Sequence, residues 1–251
     1  MSLERRKAIL AILAARHSLR VTDLSSRLGV SEVTIRKDLI ILEEQGYLTR
    51  THGGAVAAEQ PDPLRAVRLR EESNRAGKQR IAALAATLIR HGETIFLDAG
   101  TNAALLAVEV RDMELRVVTN SVQVVNTLVD QPGISLMMVG GAYRHEAGSF
   151  IGRWAEENLR RVQLDHAFIG TTGIAWEGRF SCRNTIEAQT KRAALNAARS
   201  RIIMGDTSKL GVHAFEVFAE LEDVSALVTD APLSACAPLQ AAGLYIMSTE
   251  E

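Results

Sequence analysis

The chain reads as an α/β protein in two parts. A small winged helix-turn-helix domain comes first, followed by a doubly wound, mostly parallel Rossmann-like domain. Three observations predict this. Val30–Arg50 reads as a turn, a capped helix with an exposed basic step, and the start of a β-wing. Residues 57–75 hold two of the chain's five prolines and no sustained apolar period, which marks a linker. From Gly77 onward, short β-rich runs alternate with helical stretches, the pattern of repeated β-α units. The expected division is 1–56, a linker at 57–75, and 76–251.

Composition narrows the class. The 251 residues are 47% apolar and 24% charged, enough to bury a sizeable core. No 18-residue apolar run occurs, and SLERRK leads straight into a helical pattern, so neither a membrane span nor a signal peptide is expected. Cys182 and Cys236 make no metal or disulfide spacing, which fits a reduced cytoplasm with no metal and no cofactor. The net charge of −1 hides an asymmetry: residues 1–56 carry nine Lys/Arg against six Asp/Glu, leaving 20 against 24 in the remainder. A mildly basic head on an acidic body suits a nucleic-acid-binding head.

Within the head, Ser2 is placed to cap a helix running to about His17, with Ile9, Leu10 and Leu13 as its buried stripe. Thr22 is expected to cap a second helix that ends at Gly29. Ser31 then caps a third. On a helical wheel Ile35, Leu39 and Leu42 cluster on one side and face the core, with Ile40 and Ile41 flanking them. Val33, Arg36 and Lys37 look outward, with Thr34 on the flank, near the helix N-terminus where groove-reading residues belong. The hairpin Tyr47–Ala55 carries Arg50 and His52 toward a phosphate backbone or minor groove. A charged solvated face is the plainer reading of any one helix; the helix-turn-helix-wing order outweighs it. In the linker, Arg65, Arg68, Arg70 and Arg75 alternate with acids and read as a solvated face, with a turn into helix from Leu64 as one expectation.

In the body, strands are expected at Thr94–Asp98, Leu115–Thr119, Ile134–Val139, Ala167–Gly170, Arg201–Met204, Ala226–Thr229 and Leu244–Met247. Ligands of such sheets bind beyond the carboxyl ends of the strands. Five of those ends are small and polar: Asp98-Ala99-Gly100-Thr101-Asn102, Thr119-Asn120-Ser121, Gly140-Gly141, Gly170-Thr171-Thr172-Gly173 and Gly205-Asp206-Thr207-Ser208-Lys209. Glycines allow close backbone approach, and hydroxyls with free helix N–H groups bind an anion. Singly each is an ordinary cap or turn; together they mark one edge. The chain has 24 Arg and only five Lys, and three of those, Lys78, Lys191 and Lys209, fall where they face this edge.

The head motif VS-x-x-TIR-K-DL-x-x-LE-x-x-G followed by R-x-HGGA resembles the winged head of DeoR-type bacterial transcriptional repressors. The family usually has two arginines where this chain has Arg36-Lys37, a substitution that keeps charge and changes hydrogen-bond geometry. The resemblance implies DNA contacts from Ser31, Thr34, Arg36 and Lys37, and from Arg50 and His52 in the wing. GETIFLDAGTN, LRVVTNS, MVGGAYR, FIGTTGI, IEAQTKRA and GDTSKLG resemble the effector domain of the same family, itself similar to ribose-5-phosphate isomerase. By that analogy Gly100, Thr101 and Asn102 would hold a phosphate, with Lys78 reaching over. Asn120, Ser121, Gly141, Thr171, Glu187, Lys191, Asp206 and Lys209 would line the sugar end, beside Asp98. Asn102 departs from the family's usual threonine.

The resulting expectation is a repressor of a carbohydrate operon. Its partners are double-stranded operator DNA and a phosphorylated sugar or polyol, with no membrane, and it works as a homo-oligomer, dimer or tetramer, on paired half-sites. No catalysis is expected, because the loop Gly170–Ile174 lacks the carboxylates an isomerase would place there. The competing readings are a sugar-phosphate isomerase with an accessory DNA-binding head and, less well matched to an acidic body, an architectural nucleic-acid protein.

Overall fold

A computed structural model of the chain describes residues 18–44, 47–57 and 74–250, together with 5, 6, 8–10, 12 and 13. The expected cap at Ser2, the end of the first helix near His17 and positions 58–73 of the linker, with Arg65, Arg68, Arg70 and any helix from Leu64, lie outside these residues. The linker is shorter than expected at both ends, since Ala57 closes a strand and Arg75 opens a helix. The chain divides into two compact units, 1–73 and 74–251.

In the first unit the described residues between 5 and 13 are helical. They are followed by β1 (Ser18–Arg20), α1 (Val21–Leu28), α2 (Glu32–Glu44), β2 (Leu48–Thr51) and β3 (Gly54–Ala57). Ile9, Leu13, Leu24, Ile35, Leu39 and Leu42 form one buried core with Leu48 of the wing. The helical wheel therefore gave the inward face of α2 correctly; Ile40 stays largely outside. Gly29 ends α1 in the left-handed conformation. Two details differ from expectation. A third strand, β1, joins the wing in the order β1-β3-β2. And α1 starts before Thr22, with Arg20 as an N-cap that makes no side-chain bond. The wing supplies the missing acceptor: the Gly53 carbonyl takes the Val21 N–H at 2.9 Å. Gly54 permits this closeness, since a Cβ there would lie 1.7 Å from the Leu19 carbonyl oxygen.

The second unit is built on seven strands: β4 (Thr94–Leu97), β5 (Leu115–Thr119), β6 (Ile134–Met138), β9 (Leu164–Gly170), β12 (Ala198–Met204), β14 (Ala226–Thr229) and β15 (Ile246–Ser248). All pair in parallel. Their order is β15-β14-β12-β9-β4-β5-β6. Helices α3 (Arg75–Ala86), α4 (Thr101–Val110) and α5 (Val122–Leu128) pack on one face against Ile95, Leu97, Val117, Ile202 and Met204. Helices α6 (Arg153–Leu159), α7 (Thr185–Asn196) and α8 (Ala237–Ala241) pack on the other against Phe96, Val118 and Ile203. Strands such as β4 and β14 are covered on both faces and read as nearly continuous apolar runs, whereas β6 at the sheet edge leaves Ser135 and Met137 exposed. Burying side chains such as Phe96 and Phe168 contributes about 1.5–3 kcal/mol each.

Two small antiparallel additions have no clear period in the sequence. One is a hairpin of β7 (Ala142–Arg144) and β8 (Ser149–Ile151); the other is a sheet of β10 (Gly173–Ile174), β11 (Phe180–Cys182) and β13 (Glu216–Ala219). Strands of two to four residues carry too few side chains to show alternation. The winding of the large sheet reverses between β4 and β9, and that switch point is where such folds place ligands.

Candidate functional site

In the first unit α2 turns Val33, Arg36 and Lys37 outward, and Val33 is 60% exposed. Ser31 is engaged in capping: its Oγ accepts the Thr34 N–H at 3.3 Å and lies 2.9 Å from the Thr34 hydroxyl. Arg36 pairs with Glu32 one turn earlier, Nη2 to Oε2 at 2.6 Å, on an exposed face. Lys37 and His52 are exposed and have no side-chain partner among the described residues. Arg50 is gripped by Glu43 of α2, which accepts its backbone N–H at 2.8 Å and its Nε–H at 2.6 Å. Sequence reasoning missed Asp38. It is buried on α2 and binds Arg5 Nε at 2.5 Å, with Arg6 Nε at 3.7 Å, so it ties the N-terminal helical segment to α2. The signal was present: a carboxylate at a position between the buried Ile35 and Leu39 needs a cation.

In the second unit the switch point holds a buried charge cluster. Asp98 follows β4, and its Oδ2 accepts the Gly170 N–H at 3.2 Å and the Lys191 ammonium from α7. Lys191 also donates to the Gly170 carbonyl at 2.9 Å and lies 3.4 Å from Glu187 Oε1. Arg144, from the end of β7, holds Glu187 Oε2 at 2.5 Å. Lys191 is 4% exposed in its side chain; burial works against its charge, yet Asp98 and Glu187 hold its pKa above the ordinary value. Burial likewise works to raise the Glu187 carboxyl, and Lys191 with Arg144 brings it below the ordinary range. Cys182 nearby is pushed up to about 11 by burial, then by Glu187. Arg144 went unnoticed in the sequence because nothing in GGAYRH marks its partner 43 residues later.

A second cluster lies beyond β12 and β14. Asp206 accepts the Ser208 N–H at 2.9 Å and faces Lys78 Nζ at 4.0 Å. Asp230 accepts the Thr207 N–H at 2.7 Å and Asn74 Nδ2 at 2.7 Å. Burial raises the Asp230 carboxyl and these bonds more than offset it, leaving it below its usual value. Asp230 was legible as one more polar strand end, in VTDAP after the sixth expected strand. Lys209 is half-buried, and among the described residues its ammonium has no partner.

The remaining expected residues divide by what they already bind. Thr171 Oγ1 donates to the Gly173 and Ser181 carbonyls at 2.9 and 3.1 Å, holding its own loop. Ser121 caps α5 by accepting the Val124 N–H at 3.4 Å. Gly141 passes close to the β8 backbone, where a Cβ would meet the Ile151 carbonyl oxygen at 2.5 Å. Asn120 is buried, and among the described residues its Oδ1 has no hydrogen-bond partner. Asn102 Nδ2 donates to the Met204 carbonyl at 3.4 Å, and among the described residues its Oδ1 has no partner. Gly100 caps α4 at φ 149°, a conformation open to glycine, and open space lies where its Cβ would be. The N–H groups opening α4 at Thr101–Ala103 thus start a ten-residue helix beside an unfilled space at the switch point. Among the described residues no three His, Cys, Asp or Glu gather as a metal site.

A winged helix-turn-helix unit joined to a doubly wound sheet unit with a polar strand edge defines a two-part DNA-binding regulator. Comparison with known proteins places it further. Residues 5–61 match the family described as the DeoR-like helix-turn-helix domain, and residues 73–231 match the DeoR C terminal sensor domain. The chain belongs to the DeoR family of transcriptional regulators. Among its relatives, an uncharacterized HTH-type transcriptional regulator, YulB, of Bacillus subtilis is 36% identical over 92% of this chain and 89% of its own length. The repressor GlcR of the same organism is 32% identical over 99% and 96%. The lactose phosphotransferase system repressor of Lactococcus lactis is 32% identical over 92% and 91%. A partial likeness to ribose 5-phosphate isomerase from Methanocaldococcus jannaschii covers 55% of each chain, at 22% identity and a TM-score of 0.40, too slight to carry chemistry across. No helix among the described residues is long and apolar enough to cross a membrane.

Proposed function

We propose that this regulator represses a carbohydrate operon and that a phosphorylated sugar or polyol, bound at the switch-point edge, changes its affinity for operator DNA. The first unit reads DNA through Ser31, Val33, Thr34, Arg36, Lys37, Arg50 and His52; the stretch between β3 and α3 is the tether; the unit from α3 onward holds the effector. The relative from Lactococcus lactis is named a lactose phosphotransferase system repressor, which supports the carbohydrate part of this reading. The observation that carries the effector site is the open start of α4 at Gly100. Lys78, Lys191 and Arg144 each already face a carboxylate, so the phosphate is held by the N–H groups of Thr101–Ala103 and by Lys209. Asp98, Asn120, Ser121, Gly141, Thr171, Glu187, Lys191 and Asp206 shape the loops around the sugar.

The protein acts without catalysis. An isomerase base needs a carboxylate able to take a proton near neutrality, whereas Lys191 and Arg144 hold Glu187 ionised and occupied. It works in the cytoplasm, as a homo-oligomer on paired half-sites. Thermal melting of the whole chain with pentose and hexose phosphates, polyol phosphates and the matching unphosphorylated compounds tests the reading. A ligand at 100 times its Kd adds about 2.7 kcal/mol, so one phosphorylated compound should raise Tm clearly while its unphosphorylated counterpart does not. Equal shifts from both forms, or turnover of the phosphate ester, would sink it.

A further inference from the structure

We infer that Glu43 is a positioning residue for DNA binding: it aims the Arg50 guanidinium of the wing at a phosphate without touching DNA itself. The inference rests on Arg50 being a backbone contact. Glu43 stands in the last turns of α2, and its two carboxylate oxygens divide their work. Oε1 accepts the Arg50 backbone N–H at 2.8 Å, and Oε2 accepts Nε–H at 2.6 Å. One side chain thereby fixes both the first strand of the wing and the direction of the arginine it carries.

The geometry leaves Nη1 and Nη2, with four of the five guanidinium donors, for another partner. Among the described residues Arg50 has no other side-chain partner, and its side chain is 43% exposed while that of Glu43 is 14% exposed. The carboxylate is shielded and the working end of the arginine is presented. A solvent-exposed arginine without such a hold samples many rotamers, and contact with a phosphate must offset their loss. Arg36 shows the contrast: its partner Glu32 takes a terminal Nη2 on a fully outward pair, which occupies donors instead of presenting them.

The test turns on sign. A carboxylate that acted through charge alone would repel DNA, so Glu43→Gln would bind more tightly. A positioning carboxylate predicts the reverse. Glutamine can still accept the backbone N–H through its carbonyl, but its amide cannot accept Nε–H, so the wing strand stays and the side chain is released. The probe is a short duplex of arbitrary sequence, since a backbone contact needs no operator, and the readout is Kd across a salt series. Loss of one phosphate contact lowers the salt slope by about 0.9 and, near 0.1 M salt, affinity by about eightfold. Arg50→Ala should show that full loss. Glu43→Gln should lose about twofold to eightfold, move the slope toward that of Arg50→Ala, and add nothing in the Arg50→Ala background. Arg50→Lys, which keeps the charge without an Nε–H to hold, should resemble Glu43→Gln and serves if the latter melts early. Tighter or unchanged binding by Glu43→Gln, additivity in the double variant, or wild-type binding by Arg50→Lys overturns the inference. Unchanged binding by Arg50→Ala instead removes the contact on which it rests, while Lys37→Ala separately reports on the groove.

Discussion

The two units use charge in opposite ways. On α2 the cations stand in solvent, bare among the described residues as at Lys37 or loosely paired as at Arg36 with Glu32. At the edge of the sheet they lie buried, with Lys191 against Asp98 and Glu187, and Lys78 facing Asp206. A charge left in water is available to a partner and contributes little to folding. A buried charge must be matched inside the fold, and once matched it shapes loops instead of binding an anion. The outward cations of α2 are therefore free to meet a partner, while Arg5 and Arg6 of the same unit are held by buried Asp38. In the second unit Lys78, Lys191 and Arg144 are instead taken up by carboxylates at the sheet edge.

That contrast can be broken or sharpened by substitution. Asp98→Asn leaves the Lys191 ammonium buried without its main partner and should cost about 3–5 kcal/mol in denaturant unfolding. The double variant Asp98→Asn/Lys191→Met should recover much of this, and a mild single variant would mean that water reaches the cluster. The same cluster sets a pH window. Glu187 has a lowered folded pKa, so its contribution is present above the unfolded value of 4.5 and is lost as pH falls through the folded value. Lys191 has a raised folded pKa, so its contribution is complete below 10.5 and is lost as pH rises through the folded value. Unfolding free energy should thus hold a plateau between these limits; in Glu187→Gln the acid-side fall should be shallower.

On the exposed side, Arg36→Ala or Lys37→Ala should leave the melting temperature in place and cost about 1–3 kcal/mol of operator binding, with altered base preference at one position. An unchanged footprint and affinity would remove α2 from the groove. Lys209→Ala should weaken binding of the sugar phosphate by about tenfold, the size of one charge-assisted bond, by calorimetry. Full affinity would leave the phosphate to the helix N-terminus alone. The smallest effect is expected at Glu32→Gln, about 0.5 kcal/mol or roughly twofold tighter DNA binding, because it frees Arg36 from a surface pair. Were it to weaken binding, the pair with Glu32 would be holding Arg36 in place, as Glu43 holds Arg50.

The sequence by itself determined the architecture. Ile35, Leu39 and Leu42 repeat at helical spacing and fixed the buried face of α2, hence the outward face as well. Runs such as those that became β4 and β14 announced themselves because a strand covered on both faces must be apolar throughout, while β6 at the sheet edge leaves Met137 exposed. Their polar ends were equally plain, since a residue just past a buried strand returns to solvent or to a partner. Pairing was a matter for tertiary structure. Along the chain Lys191 reads either as an ordinary pair with Glu187 one turn earlier or as a cation for a phosphate; the sheet order brings Asp98 to it across 93 residues and Asp206 to Lys78 across 128. Arg144 and Asp230 gained their roles the same way, as did β1, which exists because the wing folds back on it. Local periodicity is a property of neighbours in sequence, whereas the state of a charge depends on what the fold places a few ångströms away.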